Sequence, residues 1–319
     1  MTRVLVTGGS GFVGRRLIAV LEARHSNWSL NTPGGPGAGA DGVDMTDAEQ
    51  VSDCIARQKP DVVVHLAAVA AVTASVKDPR AAWRVNLGGT LNVVLALQEH
   101  APDAHLLFVS SAEVYGSSLN LGHAVDEAAL LQPVNPYAAS KASADILVRQ
   151  ASAAGLSATV MRAFNHTGRG QNEAFVVPSF AGQIARIEAG LQPAVISVGS
   201  LDDERDFLDV SDVVNAYEMV LKRRKDLPAG SVFNVASGVS VRIGDLLAQM
   251  LSLAKVKIEV QVDSRRLRPA AIPRVVGNAS KLRGLGWTPC IPLADTLAEV
   301  LEERREAVMQ SLATGGPAR

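Results

Sequence analysis

Short apolar runs and longer amphipathic runs alternate along the first half of this chain. Arg3–Thr7 (RVLVT) is apolar and β-branched, and apolar positions at helical spacing follow from Phe12 to Arg24. This predicts a strand, a tight turn and a helix. Asp61–His65 (DVVVH) is apolar without alternation, as suits a parallel strand covered on both faces. Ala104–Ser110 and Ser157–Arg162 repeat that character, and helical patterns lie at Asp47–Gln58, Ala81–Glu99 and Pro136–Ala154. Strands alternating with helices predict an α/β fold, a Rossmann-type doubly wound parallel sheet. The rhythm changes after Asn165, where segments shorten and gain Arg and Pro. We therefore expect a main domain over 1–164 and a smaller C-terminal domain over 165–319. Within the latter, 205–237 is expected to return to the main domain, through the apolar pieces Arg205–Leu221 and Val232–Ser237. The Gly/Pro-rich stretch 31–42 reads as a surface loop, because the strand-helix pattern resumes directly after it.

Composition narrows the function classes. A chain of 319 residues with 47% hydrophobic and 20% charged residues can bury a large core without disulfides or metals. Aromatics are only 4%, too few for a surface of stacked rings, and the net charge of −1 offers no broad basic field. Neither nucleic acid nor an acidic membrane is an expected partner. Cys54 and Cys290 fit no metal-ligand spacing and read as two buried thiols in a reducing compartment. No metal is expected. Met1 runs straight into an apolar strand without a signal-peptide pattern. The apolar run Val62–Val76 is shorter than the roughly 20 residues a membrane helix needs. The expected address is the cytoplasm.

The turn Thr7-Gly8-Gly9-Ser10-Gly11-Phe12-Val13-Gly14 carries the first chemistry. Gly8, Gly11 and Gly14 allow a tight turn and close approach of backbone to a pyrophosphate, and the helix that begins there offers free N–H groups to the anion. A glycine pattern alone is weak, but this one joins a strand to a helix, which is the context a dinucleotide needs. The ribose-reading acid usual about 20 residues further on is missing. Asn31 stands at the expected strand end, with no carboxylate between Glu22 and Asp41. That pattern tolerates NADPH and leaves NADH open.

Tyr137 and Lys141 share a helix face at i and i+4, with Pro136 in the first turn. An ammonium beside the phenol is expected to lower the tyrosine pKa toward the working pH. Ser111, at the end of a predicted strand, could hydrogen-bond the same reacting oxygen. Taken alone, a Tyr/Lys pair at this spacing reads as a solvated helix face. Following a glycine turn and a strand-end serine, it predicts proton transfer to or from a carbonyl.

These residues resemble the extended short-chain dehydrogenase/reductases that act on nucleotide sugars. The likeness spans nearly the whole chain: TGGSGFVG at the start, Asp44-Met45, His65-Leu66-Ala67-Ala68, Asn86 in VNLGGTLN, SSAEVYG at 110–116, YAASK at 137–141, RAFN at 162–165, RDFLDVSDV at 205–213 and Gly286-Trp287-Thr288-Pro289. The resemblance implies that the smaller domain binds substrate. It implies that Asp44 and Met45 contact adenine, that Leu66, Ala67 and Ala68 line the cofactor, and that Phe164 lies near the nicotinamide. It also implies that Asn165, Arg205 and Arg268 hold a sugar-nucleotide pyrophosphate. Arginine's planar fork suits that task, although Ala270 and Ala271 replace the acid the family carries there.

Phe164–Gln171, Phe175–Ser179 (including Val176) and Gln183–Glu188 are similar to reductases of GDP-4-keto-6-deoxy-D-mannose, which make GDP-D-rhamnose. The implied partner is a GDP-linked 4-keto-6-deoxyhexose, with Tyr137 as proton donor. Glu113 keeps other activities of the family open: a 4,6-dehydratase using it as base, a 4-epimerase, or a reductase forming GDP-6-deoxy-talose. His166, Tyr115, Trp83 and Trp287 read as packing residues. The family's habit of pairing two long helices implies a homodimer through Ala81–Glu99 and Pro136–Ala154.

Overall fold

The computed structural model describes residues 1–36, 42–267 and 272–314. In chain order, β1 (Thr2–Thr7), α1 (Phe12–Arg24), β2 (Trp28–Asn31), α2 (Ala48–Gln58) and β3 (Val62–His65) come first. The short helices α3 (Val72–Lys77) and α4 (Pro79–Trp83) pass through a π-helical turn, Arg84–Gly88, into α5 (Gly89–His100). Next come β4 (His105–Ser111), a 3-10 stretch (Ala112–Leu121), α6 (Pro136–Ala153) and β5 (Ala158–Ala163). The second half holds β6 (Asn165–Thr167), α7 (Val176–Glu188), β7 (Val195–Val198), β8 (Glu204–Asp209), α8 (Val210–Arg223) and β9 (Ser231–Val235). The remainder is β10 (Ser240–Arg242), α9 (Ile243–Ser252), β11 (Glu259–Val262), β12 (Arg274–Val275), α10 (Ser280–Arg283) and α11 (Leu293–Ala313).

The main sheet is parallel throughout, in the order β2-β1-β3-β4-β5-β9. Its strands are apolar without gaps because both faces are buried, yet the pleat still sorts them. Val4, Val6, Val62, Val64, Leu107 and Met161 join one core with Leu17 of α1 and Val213 of α8. Leu5, Val63, Leu106, Phe108 and Val160 join the other, with Val51 of α2, Val93 of α5 and Val148 of α6. Chain order reverses between β1 and β3. The loops that follow these two strands therefore diverge at the strands' C-terminal ends and leave a crevice.

The smaller lobe contains a sheet in the order β10-β8-β12, with β6 also pairing β8, and the strand pair β7-β11. Its core is built from α7, α9 and α11, with Phe180, Ile184, Leu246 and Leu301 at the centre. Of the stretch 205–237 expected to return to the main domain, α8 packs in the main core beside α1, and the two strands part company. β9 pairs with β5 as the sheet's edge, whereas β8 lies in the small sheet. The difference is carboxylate chemistry. In Arg205–Val213 three aspartates spaced three apart each tie down a piece of the C-terminal chain. Asp206 accepts from the amides of Ser237 (2.8 Å), Gly238 (2.9 Å) and Gly277 (3.2 Å). Asp209 caps α8 through Ser211 and accepts from the Thr296 hydroxyl. Asp212 accepts from the amides of Cys290 and Ile291.

Two packing expectations are corrected. Trp83 is 40% exposed, because α4 and α5 present an outer face to solvent. Cys290 is exposed as well: its backbone amide and thiol both reach Asp212 from a surface loop, while Cys54 is buried. Tyr115 and Trp287 are buried. Of the stretch 31–42, Asn31 ends β2 and Gly34 bridges Gly42, while 37–41 lies outside the described residues.

One buried ion pair docks α6 on the sheet. Arg162 of β5, 1% exposed, meets Asp145 of α6, 0% exposed, through two hydrogen bonds of 2.9 Å. Arg162 also donates to the Tyr115 hydroxyl (3.0 Å), which donates to Asn234 of β9 (2.6 Å). Asn234 in turn holds the carbonyls of Val125 and Asn278. Breaking such a pair strands a charge in low dielectric. Arg162→Met is expected to cost about 3–5 kcal/mol in urea unfolding. Arg3→Met, which breaks the exposed pair with Asp61, should cost at most about 1 kcal/mol.

Candidate active site

A cavity of ≈ 1260 Å³ opens over the C-terminal ends of the main sheet and extends to the small lobe. One wall is the glycine turn. Gly8 has φ +71°, and a Cβ there would lie 2.7 Å from the amide nitrogen of Ala67. Only glycine lets the loops after β1 and β3 approach so closely. A Cβ at Gly14 would stand 2.4 Å from the Gly8 carbonyl, so α1 closes directly onto the turn. Gly11 caps α1 without a side-chain hydrogen bond, which leaves the first amides of the helix facing the crevice. This cradle, with Phe12, Val13, Leu66, Ala67 and Ala68 lining it, has the shape and polarity a dinucleotide pyrophosphate requires.

The opposite wall is built from β4, the 3-10 stretch and α6. Ser111 ends β4, and its hydroxyl accepts from the Glu113 amide at 3.2 Å. Asn135 caps α6 through the Ala138 amide (2.8 Å), and its side-chain amide donates to Glu113 Oε2 (3.1 Å). Pro136 fills the first helical position, which places Tyr137 at the helix mouth and Lys141 one turn further on. Asn86, in the π-helical turn, bonds both the Val69 backbone and the Ser140 hydroxyl, and Ser140 bonds the Tyr137 carbonyl. The loop after β3 is thereby tied to the first turns of α6.

The electrostatics differ from the expectation of an acidified phenol. Lys141 Nζ donates to the Val109 carbonyl at 2.5 Å and lies 4.4 Å over the Phe108 ring. Burial pushes Lys141 down to about 7, against the raising influence of Asp145. Burial pushes the Tyr137 phenol up to about 12; its Ser111 hydrogen bond pulls the other way, and the Glu113 charge adds to the rise. Sharing a helix face brought the two residues together, but the ammonium found a carbonyl. A phenol in this state is a proton donor. His65, beside Lys141, is held down to about 3 by burial first and then by that charge, so it is neutral, bonded to Thr7 and Thr90.

Of the other residues singled out in the sequence, Phe164, Asn165, Val176 and Arg205 also line the cavity. Arg205 reaches Asp203 at 3.3 Å and the Glu204 carbonyl at 2.8 Å. His166 stacks on Phe12, with ring planes 4° apart, and faces the Phe164 carbonyl. Asn31, Asp44 and Met45 do not line the cavity. Asn31 pairs with Leu5 at the end of β2, Asp44 receives the amide and hydroxyl of Thr46, and the Met45 carbonyl receives Asn92. Arg268 lies outside the described residues. The cavity also gains residues that no motif announced: Arg265 and Arg266 from the 3-10 turn Ser264–Arg266, Glu303 and Arg304 from α11, and Tyr217 from α8. Their signal is absent because ordinary mixed-charge helices and loops carry them.

Residues 41–300 match the family described as GDP-mannose 4,6 dehydratase. A GDP-6-deoxy-D-mannose reductase of Pseudomonas aeruginosa is 36% identical over 97% of this chain and 99% of its own. A GDP-6-deoxy-D-talose 4-dehydrogenase of Aggregatibacter actinomycetemcomitans is 27% identical over 88% of this chain and 90% of its own. Among solved structures, RMD from Pseudomonas aeruginosa complexed with NADPH superposes with a TM-score of 0.86 at 36% identity, covering 96% of this chain and 99% of that one.

Lys141 provides a stability test. Its folded pKa of about 7 lies below the ordinary 10.5, so between these values the unfolded chain binds more protons than the native one. Stability therefore rises with pH across that window, and the burden of a buried ammonium is full below it. Lys141→Met should be more stable than the parent at and below about pH 7, with the gap closing toward pH 10.5 in denaturant titrations.

Proposed function

Because this chain belongs to the GDP-mannose 4,6-dehydratase family of nucleotide-sugar short-chain dehydrogenase/reductases, we propose that it reduces the C4 ketone of GDP-4-keto-6-deoxy-D-mannose to GDP-D-rhamnose. The cofactor is NADPH or NADH, held by the glycine cradle. The carrying observation is a Tyr137 phenol held protonated and hydrogen-bonded by Ser111 inside the cavity that contains that cradle. When bound, a reduced dinucleotide supplies hydride to the carbonyl carbon. Tyr137 gives the oxygen its proton, Ser111 steadies the phenol, and the Lys141 ammonium stabilises negative charge developing on the phenol side. Arg205, with Arg265 and Arg266, supplies guanidinium groups for a sugar-nucleotide diphosphate, and Asn165 and Val176 border the sugar.

Glu113 supports a second reading. It lines the cavity, held by Asn135, where a 4,6-dehydratase would use a base. The two separate in one assay. Purified protein with NADPH or NADH and the keto sugar should consume reduced cofactor and yield GDP-D-rhamnose, identified by NMR. Turnover of GDP-mannose without added cofactor, and no reduction of the keto sugar, would favour the dehydratase and overturn the reductase. Tyr137→Phe should lower kcat by about 10²–10⁴ while still binding NADPH. The kcat/KM of the parent should fall as pH rises through about 7, where Lys141 loses its proton in the free enzyme.

We also read the protein as a cytoplasmic homodimer. No described helix is long and apolar enough to cross a membrane, and buried Cys54 suits a reducing compartment. Trp83, Leu91 and Leu95 form an exposed apolar stripe along α4 and α5, next to exposed Ile146 on α6. Such a patch invites a two-fold partner. Light scattering should give twice the chain mass, and Leu95→Glu with Ile146→Glu should give the monomer. A monomeric parent contradicts the reading.

A further inference from the structure

The glycine turn carries one charge that neither the turn nor the helix behind it requires. Arg15 stands at the end of the first turn of α1, is exposed, and lines the cavity. Its side chain folds back along the helix, and Nη1 donates to the Ser10 carbonyl within the glycine turn at 2.5 Å. Nη2 lies 3.7 Å from where a Cβ on Gly170 would stand. The guanidinium therefore spans from the glycine turn to the loop after β6. That loop meets the turn a second time, where His166 stacks on Phe12.

Electrostatics disfavour this placement unless an anion joins it. The amino end of a helix carries a partial positive charge, and α1 has no acid in its first turn to offset it. Arg15 forms no ion pair among the described residues. The carboxylates nearest along the facing loop and α11 are engaged elsewhere, Glu303 by the Gly170 amide and Glu173 by Arg186. A guanidinium has five N–H donors, so the bond to Ser10 leaves others for a ligand. We propose that Arg15 binds the cofactor, its guanidinium donating to the pyrophosphate that the α1 amides receive and closing the cradle over it. This rests on the dinucleotide reading above. The other anion of NADPH, its 2′-phosphate, belongs at the end of β2. Asn31 stands there, outside the cavity that Arg15 lines.

The test is Arg15→Gln, read by calorimetric affinity for NADPH, NADH and ADP-ribose at low and at high salt. Parent binding of NADPH is measured first. A parent that binds no NADPH overturns the dinucleotide reading and this inference with it. Given a parent that binds, the variant should bind all three ligands about tenfold or more weakly at low salt, the weight of a hydrogen bond to a charged group. All three carry the pyrophosphate, so they should lose similar factors. In about 1 M salt, which screens exposed charges beyond about 3 Å, the gap between parent and variant should narrow. Equal affinities of parent and variant at low salt overturn the proposal while leaving the dinucleotide reading intact. A loss confined to NADPH also overturns it, because the guanidinium would then serve the 2′-phosphate. So does a loss that salt leaves undiminished, because the Ser10 hydrogen bond would then serve the shape of the turn.

Discussion

The ion pair between Asp145 and Arg162 is the contact on which the catalytic wall depends. Asp145 sits one turn beyond Lys141 on α6, and Arg162 projects from β5, between β4 and the edge strand β9 of the parallel sheet. With both groups out of water, neither tolerates separation. The pair therefore fixes how far α6 lies from β4 and β5, and with it the placement of Tyr137 against Ser111. Tyr115 and Asn234 extend the same network to the 3-10 stretch and to β9. Helix, sheet edge and substrate-side loop share one buried polar assembly, in which the loss of any member leaves others unpaired.

A second set of carboxylates does for the small lobe what this pair does for the main sheet. Asp206, Asp209 and Asp212 point along the β8–α8 segment to three separate parts of the C-terminal chain. They draw β8 out of the main sheet and bring α11 over the cavity mouth, where Arg304 bonds the Gln171 carbonyl and Glu303 the Gly170 amide. The RDFLDVSDV stretch serves assembly as much as recognition: Arg205 faces the cavity, and the three acids that follow it tie the C-terminal chain to the β8–α8 segment.

Desolvation sets the chemistry of the floor. Lys141 and Tyr137 are pushed in opposite directions by burial, the ammonium toward neutrality and the phenol toward permanent protonation. Both trends follow from one cost, that of charge in a dry site. A phenol that keeps its proton suits reduction, in which the substrate oxygen must gain one. Glu113 reinforces this by making a phenolate beside it unfavourable.

Much of this protein was legible from residue order alone, because the features concerned are local. The glycine turn needs only neighbours along the chain; the Tyr137/Lys141 pair needs only a helix; and β3, β4 and β5 show themselves as apolar runs because parallel strands are buried on both faces. What depends on distant partners stayed hidden. That Lys141 turns to Val109, that β8 leaves the main sheet, that Trp83 and Cys290 face solvent, and that Asn31, Asp44 and Met45 stand back from the cavity were decided by packing. So was the gathering of Tyr217, Arg265 and Arg304 around the site. Spacing along a chain determines which groups share a face; only the folded chain determines which of them lose their water, and that loss sets their charge and their partners.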